Sequence, residues 1–331
     1  MYKMPYQYVV CFFGKKGDSM KGLRLGKIVY LLYASEDLLQ KFRFRVDLSE
    51  INENEEDSVK IIFENNNELV LSGDPIWEKN EPQFTEQGFY REVKEVGILY
   101  YSDLKKEIIV RYREEYDKLV LVDSVMQFMS LSSLYFGYMP LHAAAIGNND
   151  KGIIIMGNSG AGKTTMETSL LYNGFSYFSD DIVFIDSDLK MFSLNEKIVG
   201  LRENTVKMLN SCFNAQIDSS FKQEKMLWDV SKKRSSYDYL QPRLIFFPEI
   251  DAEYHIENIL NVKKAELFVK IIELSISQKL PARFKQIYFC RLKHLVMICD
   301  GYIIRRNNYF YMIDFRKSID RISTLIQEVQ L

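Results

Sequence analysis

Proline and glycine are scarce in this chain, 7 and 16 among 331 residues, which leaves little room for low-complexity or unstructured tracts. Cysteine is scarcer still. Cys11, Cys212, Cys290 and Cys299 show no CxxC spacing and no nearby histidine pairs, so neither a disulfide framework nor a structural zinc site is expected. We read the four as free thiols of a reducing compartment, mostly buried. Neither sign of charge prevails. With 43 Lys and Arg against 45 Asp and Glu, the formal net charge is −2, and nothing in the balance argues for a nucleic-acid or membrane partner. The opening MYKMPYQYVVCFFG is too short and too interrupted for a signal peptide or a membrane span, so the expected location is the cytoplasm. No internal repeat is visible.

Apolar and aromatic residues are abundant instead: 47% of the chain is hydrophobic, with 21 Tyr and 22 Phe, enough for one large core or two ordinary ones. Residues 1–115 read as a β-rich accessory or substrate-recognition domain. YQYVVCFF is an apolar strand; VKIIFENNNELVLSG suggests a hairpin about Asn65–Asn67; REVKEVGILYYSDLKKEIIVRYR suggests two or three strands with a turn near Ser102 and Asp103. Residues 116–140 change character. Leu119, Val122, Val125, Met126, Met129 and Leu134 recur at helical spacing, which predicts a long buried connecting helix up to Met139, stopped by Gly137 and Pro140.

Residues 141–331 alternate between strand and helix patterns. LHAAAIG and GIIIMG read as adjacent strands around a tight NNDK turn, and TTMETSLLYNG as a helix ending at Gly174. SYFSDDIVFID reads as strand, polar interruption and strand. ENTVKMLNSCF, NVKKAELFVKIIELSI and SIDRISTLIQEV suggest helices, and LIFFPEI a buried strand. SSFKQEKMLWDVSKKRSSYDYLQP has few clear periods and reads as a mobile loop; RFKQIYFCRLKH reads as a strand with one wet face.

Residues 157–164, GNSGAGKT, match GxxxxGK[ST] at every fixed position, after the apolar run IIIM and before a helical pattern. Small residues let successive N–H groups turn toward one anion, and the helix that follows aims its positive end at the same place. The site so formed comprises Gly157, Asn158, Ser159, Gly160, Ala161, Gly162, Lys163 and Thr164, and the family resemblance given below implies Thr165 as well. Lys163 can reach the β- and γ-phosphates, and the Thr164 hydroxyl can ligate Mg²⁺. Asp180 and Asp181 follow this helix and the start of the next strand. Neighbouring strand residues point to opposite faces, so the two carboxylates are expected to differ in role: one toward Mg²⁺, the other toward the proton of an acceptor hydroxyl. His142 lies in the strand before the loop strand, within reach of Asp180 if those strands pair.

Together LHAAAI, GNSGAGKTT and FSDD resemble the HPr kinase/phosphorylase family, whose P-loop core is shared with phosphoenolpyruvate carboxykinase. The resemblance spans residues 141–186. It implies an α/β fold: a β-rich N-terminal domain followed by a P-loop kinase core with a mixed sheet of the HPr kinase and carboxykinase type. It further implies ATP and Mg²⁺ as cofactors, Asp180 as catalytic base with its orientation influenced by His142, Lys163 on the phosphates, and Thr164 and Asp181 at the metal. The relatives it resembles most act beside peptide natural-product pathways. The expected function is therefore a Mg·ATP-dependent kinase for a Ser or Thr hydroxyl of a peptide, with a free-serine kinase or a nucleotide-gated regulatory module as alternatives. The expected partner is a peptide or small hydroxyl-bearing substrate, with a homo-oligomer left open. Arg202 is a candidate phosphate contact. Lys232, Lys233 and Arg234 read as a solvated loop face or as a patch that steers an acidic peptide.

Overall fold

The structure, a computed structural model, describes residues 20–51, 57–66, 81–93, 96–217, 225–250, 258–275, 280–306 and 312–329. β1 (Met20–Leu25) and β2 (Ile28–Tyr33) pair antiparallel and lead into α1 (Glu36–Arg45). The Ser35 side chain caps α1 by accepting from the Leu38 amide. Glu36 and Asp37 stand in its first turn and Arg43 and Arg45 in its last, each where the helix dipole favours that sign. β3 (Ser49–Ile51), β4 (Ser58–Asn65), β5 (Gln83–Thr85), β6 (Gly88–Val93), β7 (Gly97–Ser102) and β8 (Glu107–Tyr112) complete a mixed sheet. Among the described residues its order is β3-β1-β2-β4-β8-β7-β6-β5. The expected strands within residues 91–113 and the turn after Ser102 are present, the first of them starting earlier, at Gly88. YQYVVCFF and the second arm of the Asn65–Asn67 hairpin lie outside the described residues; β4 itself pairs parallel with β2 and β8.

α2 (Lys118–Ser132) is a helix where the apolar spacing predicts one, capped by Asp117 through the Leu119 and Val120 amides. It is shorter than its pattern suggests. A 3₁₀ turn over Ser133–Phe136 ends at Gly137, whose φ of 77° few side chains tolerate, and Met139 already belongs to a strand. Lys118–Phe136 has the length and hydropathy of a membrane-crossing helix, yet 67% of it is buried inside the protein. It packs on the front sheet: the Phe128 ring lies 4.3 Å from that of Phe89, and the buried Tyr30 hydroxyl donates to the Met129 carbonyl at 3.1 Å. Phe128→Ala should therefore cost about 3–5 kcal/mol, read from the midpoint of denaturant unfolding. An unchanged midpoint would mean that α2 is not what fastens the front sheet.

The back half contains β9 (Met139–His142), β10 (Ala144–Asn148), β11 (Lys151–Ile155), α3 (Lys163–Tyr172), β12 (Ser176–Ser179), β13 (Ile182–Ile185) and β14 (Met191–Phe192). β15 (Ile198–Leu201), α4 (Glu203–Phe213), β16 (Met226–Asp229), β17 (Gln241–Ile250), β18 (Asn258–Val262), α5 (Lys264–Glu273), α6 (Ala282–Ile298), β19 (Asp300–Arg306) and α7 (Met312–Val329) follow. Among the described residues the main sheet runs β12-β10-β11-β17-β19-β18, with β11, β17 and β19 parallel. Strand alternation divides its side chains. Ala145, Ile154 and Ile245 join a core that continues through Val125 and Phe128 of α2 to Tyr30 and Val110 of the front sheet. Ala144, Ile153, Ile155, Leu244 and Phe246 face the other way, onto α3, α4 and α7.

Three expectations are corrected. RFKQIYFCRLKH is helical, part of α6: its buried residues Phe284, Tyr288, Leu292 and Leu295 recur at helical spacing, not at the period of two that a strand requires. The segment read as a mobile loop contains β16, which pairs with β15, and a short helical turn over Ser231–Lys233. Two of its basic residues are held down. Lys233 Nζ donates to the Leu171 carbonyl at 3.2 Å, at the end of α3, and stacks 4.4 Å from the Tyr172 ring, while Arg234 pairs with Asp47; Lys232 is exposed. The thiols also differ from expectation in burial: Cys299 is buried, Cys212 half-buried and Cys290 exposed, none of the three in a disulfide.

Candidate functional site

The glycine-rich segment GNSGAGKT sits where its motif predicts, between β11 and α3. Gly160 and Gly162 have φ of 83° and 93°, a left-handed conformation that costs glycine nothing. A side chain at Gly157 would meet the Ala161 Cβ at 3.1 Å. Asn158, Ser159 and Gly160 are exposed, and Lys163 folds back so that its Nζ donates to the carbonyls of Gly157 at 2.8 Å and Asn158 at 3.4 Å. Burial draws the Lys163 ammonium below the usual lysine range, although Asp181 and Asp180 act against the shift. The Thr165 hydroxyl turns away, to Thr205 on α4 at 2.9 Å. Residues 157–161 border a cleft of about 550 Å³, whose other wall is the end of β17 with Lys270, Glu273 and Leu274 of the α5 region. That is a volume suited to a nucleotide-sized ligand.

The acidic pair sits at a corner that strand patterning alone does not show. The apolar run LHAAAIG breaks at Ala143, so that β9 pairs with β13 while β10 pairs with β11 and β12. SYFSDDIVFID breaks likewise at Asp180 and Asp181, and both chains pass together from one sheet to the other. Main-chain and side-chain bonds hold the turn: the Ala143 amide donates to the Asp181 carbonyl at 3.0 Å, and His142 Nδ1 reaches the same oxygen at 3.0 Å. A carbonyl only accepts, so Nδ1 carries the proton. His142 is thus placed on the Asp181 main chain, and the hydrogen bond to the Asp180 carboxylate comes from Thr164 Oγ1, at 3.0 Å. Asp180 is half-buried and Asp181 exposed. Burial and the neighbouring Asp181 charge push the Asp180 carboxyl up to about 6, with the Thr164 hydroxyl opposing.

Further carboxyls surround this corner, and no motif pointed to them. Glu167, on α3, is fully buried; no other donor among the described residues reaches its oxygens, and its carboxyl meets that of Asp180, to which it donates when protonated. Burial first, then the charge of Asp180, raises its pKa well above the carboxylate range. Glu196 is pushed up to about 8 by burial and by Asp181 and Asp180, against the pull of Arg45. Both Glu196 and Asp180 line a second cleft, of about 180 Å³, whose far wall is Arg45 of α1 and Asp123 and Gln127 of α2. A polar residue on the inward face of an apolar helix was the one readable sign of Glu167. Arg202, the candidate phosphate contact, is exposed at the start of α4 and lines neither cleft.

Among the described residues no three His, Cys, Asp or Glu side chains are arranged to hold a metal ion by themselves. Magnesium does not require such a cage, since it commonly binds through one or two carboxylates and the phosphates of its nucleotide. The Thr164 hydroxyl, bonded to Asp180 with Asp181 next in the chain, is a donor set of that kind.

No family model and no curated protein matches this chain. Among solved structures it is similar to the HPr(Ser) kinase/phosphatase from Coxiella burnetii, at 11% identity and a TM-score of 0.31, over 57% of this chain and 99% of that one. So distant a likeness assigns no role to any residue; the geometry of the loop and the corner has to do so.

Proposed function

We propose that the protein is a Mg·ATP-dependent kinase that phosphorylates a hydroxyl. The observation that carries this is the 3.0 Å bond from Thr164 to Asp180, which joins the first turn after the phosphate loop to the acidic corner. One side of that junction is a nucleotide-sized cleft; the other is a smaller cleft with Asp180 in its wall. The loop amides of residues 157–163 would grip the triphosphate, and Lys163 would swing from its own loop carbonyls onto the terminal phosphates. Thr164 and Asp181 would hold Mg²⁺, which when bound offsets the charge on the phosphate oxygens. Asp180 takes the proton of the acceptor hydroxyl. The acceptor oxygen forms a bond to the γ-phosphorus, the bond from that phosphorus to the bridging oxygen breaks, and ADP leaves with its electron pair. His142 fixes the turn that carries both aspartates. The fold we assign to this half is a P-loop core of the HPr kinase and carboxykinase type.

The proposed acceptor is a serine or threonine hydroxyl, in a peptide such as a natural-product precursor or as the free amino acid. Incubation with labelled ATP and a panel of peptides, free serine and HPr tests this directly. Label appearing in an alcohol phosphate supports it, and nucleotide binding with no transfer to any hydroxyl overturns it. The pH dependence is a second check. Asp180 must be ionised to accept a proton, and its carboxyl lies at about 6 in the free protein. Thus kcat/KM should climb about tenfold per pH unit below about 6 and level off above it. A profile already flat from pH 5 upward would remove Asp180 from the role of base.

A further inference from the structure

One wall of the smaller cleft is the ribbon of β15 and β16. Residues directly opposite in an antiparallel pair share a face, as do positions two apart along each strand. Gly200 stands opposite Leu227, and Ile198, Gly200, Leu227 and Lys225, just before β16, all line the cleft. Gly200 has no side chain, and the Lys225 stem occupies the room this leaves. A Cβ on Gly200 would meet Lys225 Cδ at 3.0 Å and Nζ at 3.8 Å. The lysine therefore folds back across the ribbon instead of extending away from it, while remaining exposed to solvent.

Two cations line this cleft, Arg45 and Lys225. Arg45 is committed to Asp123 of α2 in an ion pair. Lys225 makes no hydrogen bond or ion pair among the described residues, although Asp180 and Asp181 share its cleft. In a cleft of about 180 Å³, groups on facing walls are separated by little more than one small substituent. The Lys225 charge is accordingly felt at Asp180: burial and Asp181 raise that carboxyl, and Lys225 is among the groups that oppose them. Lying over Gly200 restricts the lysine without giving its charge a partner, so the arrangement is incomplete until an anion arrives. The phosphoryl group is the anion that must pass from the nucleotide to a hydroxyl at Asp180, and its charge is spread over three equatorial oxygens. Lys163 can meet those oxygens from the loop side. On the acceptor side Lys225 is the uncommitted cation among the residues lining the cleft.

We propose that Lys225 is a further catalytic residue, whose ammonium donates to an equatorial oxygen of the phosphoryl group as that group passes to the acceptor, and that the bare backbone of Gly200 gives its stem the path. The assignment rests on the kinase reading above. Lys225 forms no covalent bond and gives up no proton: the bonds made and broken are those of the transfer already described, and the proton of the acceptor goes to Asp180. A contact made in passage, and not to the bound nucleotide, raises kcat and leaves nucleotide affinity nearly unchanged.

The test uses the full chain with Mg²⁺. Lys225→Met keeps a stem over Gly200 and removes the charge. Single-turnover transfer from labelled ATP is measured on the panel of peptides, free serine and HPr. Calorimetry measures binding of ADP, of β,γ-imido ATP, and of ADP with aluminium fluoride, which stands in for the phosphoryl group in transit. Lys225→Met should transfer at least about tenfold more slowly and bind the fluoride complex at least about tenfold more weakly, less than a fully dehydrated donor would cost because Lys225 is exposed. ADP and imido ATP should bind within about twofold of native. Gly200→Ala, which displaces the stem and keeps the charge, should lower the same two quantities and add no further loss once Lys225 is methionine. Native transfer and native binding of the fluoride complex by Lys225→Met would take the lysine out of the reaction and leave the kinase standing. An equal loss for all three nucleotides would do the same, since it marks a contact to bound nucleotide. If the native chain phosphorylates no hydroxyl, the kinase reading falls and the Lys225 assignment falls with it.

Discussion

Asp180→Asn should bind nucleotide as the native protein does and transfer phosphoryl about 10²–10⁴-fold more slowly, the range lost when a positioned general base is removed. The substitution is chosen for its shape. Asparagine keeps an oxygen able to accept from Thr164, so the contact at 3.0 Å can persist and the first turn of α3 need not move. What it loses is the ability to take a proton. Stability separates this outcome from simple unfolding. The Asp180 carboxyl is raised to about 6 in the folded state, above its ordinary value, so the folded chain prefers the protonated form. Stability contributed by that preference is full below the ordinary carboxylate range, declines as pH rises, and is gone above about 6. At pH 7 the aspartate is therefore a burden on the fold that asparagine removes, and the variant should melt no lower than the native protein. Single-turnover transfer, analogue binding and a thermal midpoint together decide it. Native turnover in this variant would take proton abstraction away from Asp180, and lost nucleotide binding would show that the residue chiefly shapes the loop.

The parts of the site that are contiguous in the chain were legible in the sequence; the parts assembled from distant segments were not. The glycine-rich loop is one stretch with its own glycine requirements, and the strand before it and the helix after it fall where their periodicities place them. The NNDK turn is equally local: Asn149, at φ 53°, closes β10 onto β11. The aspartate pair could be located, but not the corner it occupies. Hydrophobic alternation runs through Ala143 without a mark, because a strand that changes sheets keeps the same dihedrals while changing partners. Hence His142 was expected near the Asp180 carboxylate and lies on the Asp181 carbonyl instead. Glu196 and Arg45 carry no signal at all. They meet only because the bridge from Val46 to Glu196 brings the end of α1 to the loop before β15. In α6 the aromatic and basic residues of RFKQIYFCRLKH fit a half-wet strand over a few positions, and only the longer spacing from Phe284 to Leu295 separates helix from strand.

Lys163→Ala should weaken both binding and transfer, in contrast to Asp180→Asn. In the structure the Lys163 ammonium rests on the Gly157 and Asn158 carbonyls, so it braces the loop as well as charging it. Alanine removes the only side-chain ammonium seated on the loop among the described residues, and nothing then replaces its hydrogen bonds to those two oxygens. Loss of a preorganised donor at developing phosphate charge costs about 10²–10³-fold in rate, and a drop in nucleotide affinity should accompany it. Arginine should not restore function. Its planar fork cannot occupy the space of a compact ammonium folded against two main-chain carbonyls. The fold should tolerate the loss. Burial already lowers the Lys163 pKa, so the charged form is disfavoured in the folded state below that lowered pKa, and removing it relieves a cost. Analogue titration and single-turnover transfer, each with alanine and arginine in place, distinguish the cases. Should Lys163→Ala bind and transfer normally, residues 157–163 would not be gripping a phosphate chain, and the cleft beside them would need another ligand.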